Sequence, residues 1–149
     1  MKKSAILALS AFLFSGLLSC SKKSGPSSPP AKSESVSIKI TLNPVITTSQ
    51  GDFIATCLAS LPNGSYATWV VNGTTRSGEN TISLTQTDFQ NGVVTLSTTS
   101  NVASANLDLS GATTAQSPYT VTVVPNINGA VTDSTFLTVT STMQRSYSF

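Results

Sequence analysis

Four Asn-Gly dipeptides, at 63–64, 72–73, 91–92 and 128–129, each stand beside a run in which apolar and polar residues alternate. Both residues tolerate the positive φ that tight β-turns require, so dipeptide and alternation together are a hairpin signal repeated along the chain. Alternation with a period of two sends successive side chains to opposite faces of a strand. Strands are therefore expected at Val36–Leu42, Asp52–Ala59, around Trp69, and at Thr81–Thr85. Further runs follow at Val93–Thr98, around Ala105–Leu109, at Tyr119–Val124, and at Thr135–Thr140. Asn128-Gly129 turns the last two into a closing hairpin. No helical pattern follows the amino-terminal segment. The chain should fold as an all-β, antiparallel sandwich of about seven to nine strands in one domain, 36–141.

Composition fits an extracytoplasmic β-domain. Charged residues make up 9% of the 149 residues, against about 25% in an average soluble protein. Hydroxyl and amide side chains replace them on the solvated faces. Between Val36 and Ser141 the charges are Lys39 and Arg76 against Asp52, Glu79, Asp88, Asp108 and Asp133, a net of −3. No basic face remains for nucleic acid.

The chain has no histidine, which removes the commonest general base and metal ligand and every His-dependent triad. Its carboxylates are scattered, without an EF-hand loop or a zinc-protease motif. No enzyme, cofactor or metal is expected. Asp52, Asp88 and Asp133 are the candidates for a Ca²⁺ site at one end of the sandwich, but capping of their own turns explains each more cheaply. Asn63-Gly64-Ser65 and Asn72-Gly73-Thr74 match the N-glycosylation acceptor pattern and read more simply as turns.

The amino terminus has the layout of an export signal, with Lys2 and Lys3 ahead of the apolar run Ala5–Leu18. That run is shorter than the about 20 residues a spanning helix needs. Leu17-Leu18-Ser19-Cys20 resembles the bacterial lipobox. The resemblance implies a helical signal peptide over 1–19, cleavage between Ser19 and Cys20, and acyl chains on Cys20. It makes Cys20 a membrane anchor. Ser21 stands where inner-membrane lipoproteins of the enterobacterial type carry Asp, so in a diderm cell the outer membrane is the expected home. The segment 20–35, rich in Ser, Pro and Lys, buries too little to order itself and is read as a disordered tether. Residues 142–149 are read as a polar, frayed tail.

Cys57 on the second strand, Trp69 on the third and Tyr119-Thr120-Val121 on the penultimate one resemble the core pattern of immunoglobulin-like sandwiches. Trp69-Val70-Val71-Asn72-Gly73 is also similar to the motif of bacterial Ig-like and PKD-type surface domains. The resemblance implies that Cys57, Trp69, Tyr119 and Val121 meet between two sheets, with Tyr119 as a tyrosine corner. Val121 occupies the position of the second disulfide cysteine, so Cys57 should be a buried free thiol.

Trp69, Tyr66 and Tyr119 are the candidates for a glycan platform, but Trp69 shares its face with Ala67 and Val71 and reads as core. Only Tyr66 remains as an exposed ring. Tyr147-Ser148-Phe149 resembles the terminal aromatic signal of outer-membrane barrels and is read as chance, or as a strand lent to a partner. Two functions fit: a lipid-anchored binding or adhesion module for a protein or glycan, or a structural subunit of an envelope or pilus-like assembly that pairs through edge strands. Oligomeric state is not legible.

Overall fold

The computed structural model describes residues 32–114 and 116–149. Cys20, the Ser19–Cys20 cleavage point and most of the tether lie outside the described residues. The strands are β1 (Val36–Asn43), β2 (Gly51–Ser60), β3 (Trp69–Val71), β4 (Thr74–Arg76), β5 (Thr81–Thr85) and β6 (Val93–Thr98). They continue with β7 (Ser104–Thr113), β8 (Tyr119–Ile127), β9 (Ala130–Val131), β10 (Thr135–Val139) and β11 (Thr142–Ser148).

They form the expected antiparallel sandwich. One sheet runs β10-β8-β1-β6-β3-β4, with β9 also on β8, and the other runs β11-β7-β2-β5. Alternation decides which side chains lie between the sheets. Ile38, Ile40, Trp69, Leu96, Tyr119, Val121 and Val123 come from the first sheet, and Phe53, Ala55, Cys57, Leu84, Leu107 and Leu109 from the second, all buried. Their withdrawal from water is the main driving force for the fold.

The turns follow their residues. Asn72-Gly73 has φ of 49° and 82°, and Asn128-Gly129 has 54° and 83°. Such left-handed pairs match the twist of the strands they join. The first closes the β3–β4 hairpin and the second the β8–β9 hairpin. Asn72 Oδ1 also accepts a hydrogen bond from the Thr95 amide at 2.8 Å, tying its turn to β6.

Several expectations need correction. Residues 142–149 are no frayed tail. They form β11, paired with β7 from Thr142↔Ala112 to Ser148↔Asn106, and Phe149 exchanges backbone bonds with Ala105 beyond that. The fold therefore extends past the expected boundary at 141, and it also begins before 36, where Glu34 bridges Val102. Among the described residues one turn of 3-10 helix, Gln86–Phe89, follows β5. There Asp88 Oδ2 accepts the Thr85 amide at 2.8 Å and Phe89 enters the core.

The strand order is the molecule's own. Antibody-type sandwiches set the strands carrying the core Trp and Tyr side by side. Here β3 and β8 are separated by β6 and β1, because β1 inserts between β8 and β6 and pairs with both.

Candidate functional site

The four residues singled out by the immunoglobulin resemblance are all interior, so they build the scaffold rather than a binding surface. Cys57, Trp69, Tyr119 and Val121 are each at most 1% exposed. Cys57 is a free thiol, and burial first, with the charge of Asp108 second, pushes it up to about 12. At neutral pH it is therefore protonated and packs as a small apolar side chain. Among the described residues the indole Nε1 of Trp69 is buried without a hydrogen-bond partner.

Tyr119 is not a tyrosine corner. Its hydroxyl crosses the sandwich and donates to the carbonyl of Asp52 on β2 at 3.0 Å. Gly111 makes room for it, since a Cβ at that position would lie 2.2 Å from the Tyr119 oxygen. Phe53 meets the rings of Phe89 and Tyr119 edge to face, at centroid separations of 5.3 and 6.4 Å. One hydroxyl and three rings thus link the two sheets at this end.

Of the carboxylates named as possible calcium ligands, Asp52 and Asp88 both border the 3-10 turn and Asp133 lies elsewhere. Asp88 caps the 3-10 turn. Asp52 faces the Gln86 amide, which donates to its Oδ1 at 2.9 Å when the amide nitrogen is turned toward it. Asp133 lies on the β9–β10 connection, beside a different cavity. Among the described residues no group of three or more His, Cys, Asp or Glu side chains comes together to hold a metal ion. Both glycosylation-like motifs sit in turns: Asn63 Oδ1 accepts the Ser65 amide at 3.0 Å, and Asn72 is the hairpin residue described above. Tyr66 is 51% exposed, as expected.

The surface feature the sequence reading passed over is β11. It is the edge strand of its sheet, and its inner-face series is Met143, Arg145, Tyr147 and Phe149. Tyr147 and Phe149 are half-buried against the core and stack nearly parallel, 1° apart with centroids at 6.4 Å. They line a cleft of about 620 Å³ together with Pro125 and Ile127 of β8 and a charged rim of Lys32, Glu34 and Asp133. Asn128, also in the lining, accepts the Ser35 amide on its side-chain oxygen at 3.0 Å. Among the described residues the Tyr147 hydroxyl is buried without a hydrogen-bond partner. Lys32 and Glu34 form an ion pair.

Arg145 differs from its neighbours. It is exposed although it pairs in register with the buried Leu109. It belongs to neither of the two ion pairs found among the described residues. Two smaller hollows also border the strand, one of about 290 Å³ beside Gln144, Arg145 and Ser146, and one of about 340 Å³ beside Thr142 and Met143.

No family model matches the chain, and no curated protein matches it. Solved structures do resemble it. A DUF4425 family protein from Bacteroides ovatus superposes with a TM-score of 0.61 at 11% identity, covering 79% of this chain and 95% of that one. A DUF4425 domain of unknown function from Bacteroides vulgatus gives 0.61 at 13% identity, covering 78% and 94%. A protein from Parabacteroides distasonis, solved in its calcium-bound form, gives 0.57 at 14%, covering 82% and 98%. At these identities the likeness is one of fold.

Proposed function

We propose that the chain is a lipid-anchored protein of the bacterial cell envelope whose sandwich is a non-enzymatic binding or adhesion module for a protein or glycan. The observation that carries the binding role is the end of the molecule built by β11. There an aromatic pair, a buried hydroxyl unpartnered among the described residues and a charged rim line one cleft. Apolar walls with a few convergent polar groups are the usual make-up of a ligand site. The anchor rests on the lipobox-like Leu17-Leu18-Ser19-Cys20, and in a diderm cell Ser21 favours the outer membrane. Acyl chains on one cysteine would hold the domain stably, at about 0.8 kcal/mol per buried methylene. The calcium of the Parabacteroides distasonis protein is not carried over, because Asp133 stands apart from Asp52 and Asp88.

The anchor is tested by palmitate labelling and membrane fractionation of the full chain and of Cys20→Ala. The variant should lose the label and leave the membrane fraction. A variant that keeps both would overturn the anchor. The module is tested by binding of the full chain to whole cells and an immobilised glycan array, with and without Tyr147→Ala. Binding should fall at least tenfold in that variant.

A second reading, a structural or accessory subunit of an envelope or pilus-like assembly, is favoured by the unpaired edge of β11. Light scattering across a concentration series separates the two. A monomer that binds cells or glycans supports the module, and concentration-dependent oligomers support the subunit.

A further inference from the structure

The hydrogen-bonding phase of β11 follows from its last pair. Phe149 and Ala105 exchange two bonds, at 2.8 and 3.0 Å, and in an antiparallel ladder the exchanging pairs recur every second residue. Met143, Arg145 and Tyr147 therefore direct their N–H and C=O groups toward β7. Those of Thr142, Gln144, Ser146 and Ser148 point outward, where among the described residues no strand of the sheet follows.

Of the usual protections this free edge carries one, an inward-set charge. It has no proline, glycine or lysine over its seven residues, whereas β10 and β5 have five residues each and β4 only three. Exposed edges of this kind are templates for another strand unless something blocks them. The single charge present, Arg145, is placed to choose the partner. It stands on the inner-face series between Met143 and Tyr147, exposed and, among the described residues, without an ion pair. Antiparallel pairing of two copies centred on this residue would set two guanidinium groups opposite one another, which is destabilising. A carboxylate opposite Arg145 would satisfy it.

We propose that the free edge of β11 receives an extended, acid-bearing segment of a partner protein as a fifth strand of that sheet. The partner's backbone bonds to Thr142, Gln144, Ser146 and Ser148. An Asp or Glu side chain meets Arg145, and the next inward side chain enters the cleft beside Tyr147 and Phe149. Backbone bonds supply affinity in this mode, and pockets for alternate side chains supply selection. The proposal rests on the reading of the chain as a binding module and names its partner class.

The test uses the full chain and two capped heptapeptides of alternating threonine and valine, one with glutamate and one with lysine at the centre. Titration followed by amide NMR should show at least tenfold tighter binding of the glutamate peptide. The amides of Thr142, Gln144, Ser146 and Ser148 should gain protection from exchange while those of Arg145 and Tyr147, already bonded to β7, change little. Ser146→Pro removes only an outward donor and should abolish binding with the melting temperature nearly kept, as edge strands tolerate proline facing solvent. Arg145→Glu should reverse the preference, a readout that holds if the proline variant proves unstable. Equal affinity for both peptides, protection confined to other residues, or a symmetric dimer through β11 would overturn the proposal. Cell or glycan binding that survives Ser146→Pro would overturn it too, while leaving the module itself standing.

Discussion

The Tyr119 hydroxyl and the Cys57 thiol show what the interior demands of polar atoms. Tyr119 has a carbonyl to bond across the sandwich and a glycine to lie against. Cys57 has burial and, secondly, the nearby charge of Asp108, and so it holds its proton. An ordinary thiol near 9 is pushed to about 12 here, and Tyr119 rises from 10 to about 12, chiefly through burial and secondly through Asp52. Both groups bind a proton in the native state that the unfolded chain releases, so their contribution is complete below pH 9 and is lost as pH climbs toward 12. Urea midpoints measured from pH 8 to pH 11 should fall for the natural chain and fall less steeply for Cys57→Ala. Equal slopes would assign the loss to other groups. The interior character of Cys57 and Trp69 was legible in the sequence, because alternation put each on the apolar side of its strand, and that of Val121 followed from the immunoglobulin resemblance. The cross-sheet bond of Tyr119 was not, since its partner lies 67 residues upstream and Gly111 carries no apolar signal.

At the scale of the element, β11 was hidden by its own composition. Met143, Tyr147 and Phe149 follow the period of a strand, but Arg145 interrupts the series where a buried residue was expected, and Thr, Gln and Ser fill the alternate positions. The 3-10 turn was more accessible: Thr85 followed three residues later by Asp88 is a helix-start signal that could have been read. β4 has three residues, all polar, and β9 only Ala130 and Val131, too few to show a period. Strand β11 pairs along the edge of β7 and packs Met143, Tyr147 and Phe149 against the core. Truncation after Ser141 should therefore cost about 3 kcal/mol or more, at roughly 1.5–3 kcal/mol for each apolar side chain fully withdrawn from the core. Urea denaturation would measure it. A loss below about 1 kcal/mol would show that the edge strand is dispensable.

For the whole molecule, the two-sheet architecture was legible from alternation and turns, while the strand order was not. Order depends on which long-range pairs form, and β1 reaches both β6 and β8 through contacts that leave no local trace. The resemblance of Cys57, Trp69 and Tyr119 to an immunoglobulin core survives as burial without the adjacency of β3 and β8.

One arrangement at the cleft has a consequence for engineering. Lys32 and Phe149 both line it, so the path of the described chain returns to where it began. Neighbouring extremities let a sandwich be rewired: a glycine linker from Phe149 to Lys32, with a new opening between the exposed Gly78 and Glu79, should give a circular permutant with the same circular dichroism spectrum and cooperative melting. The same route would allow the domain to be inserted whole into a surface loop of another protein.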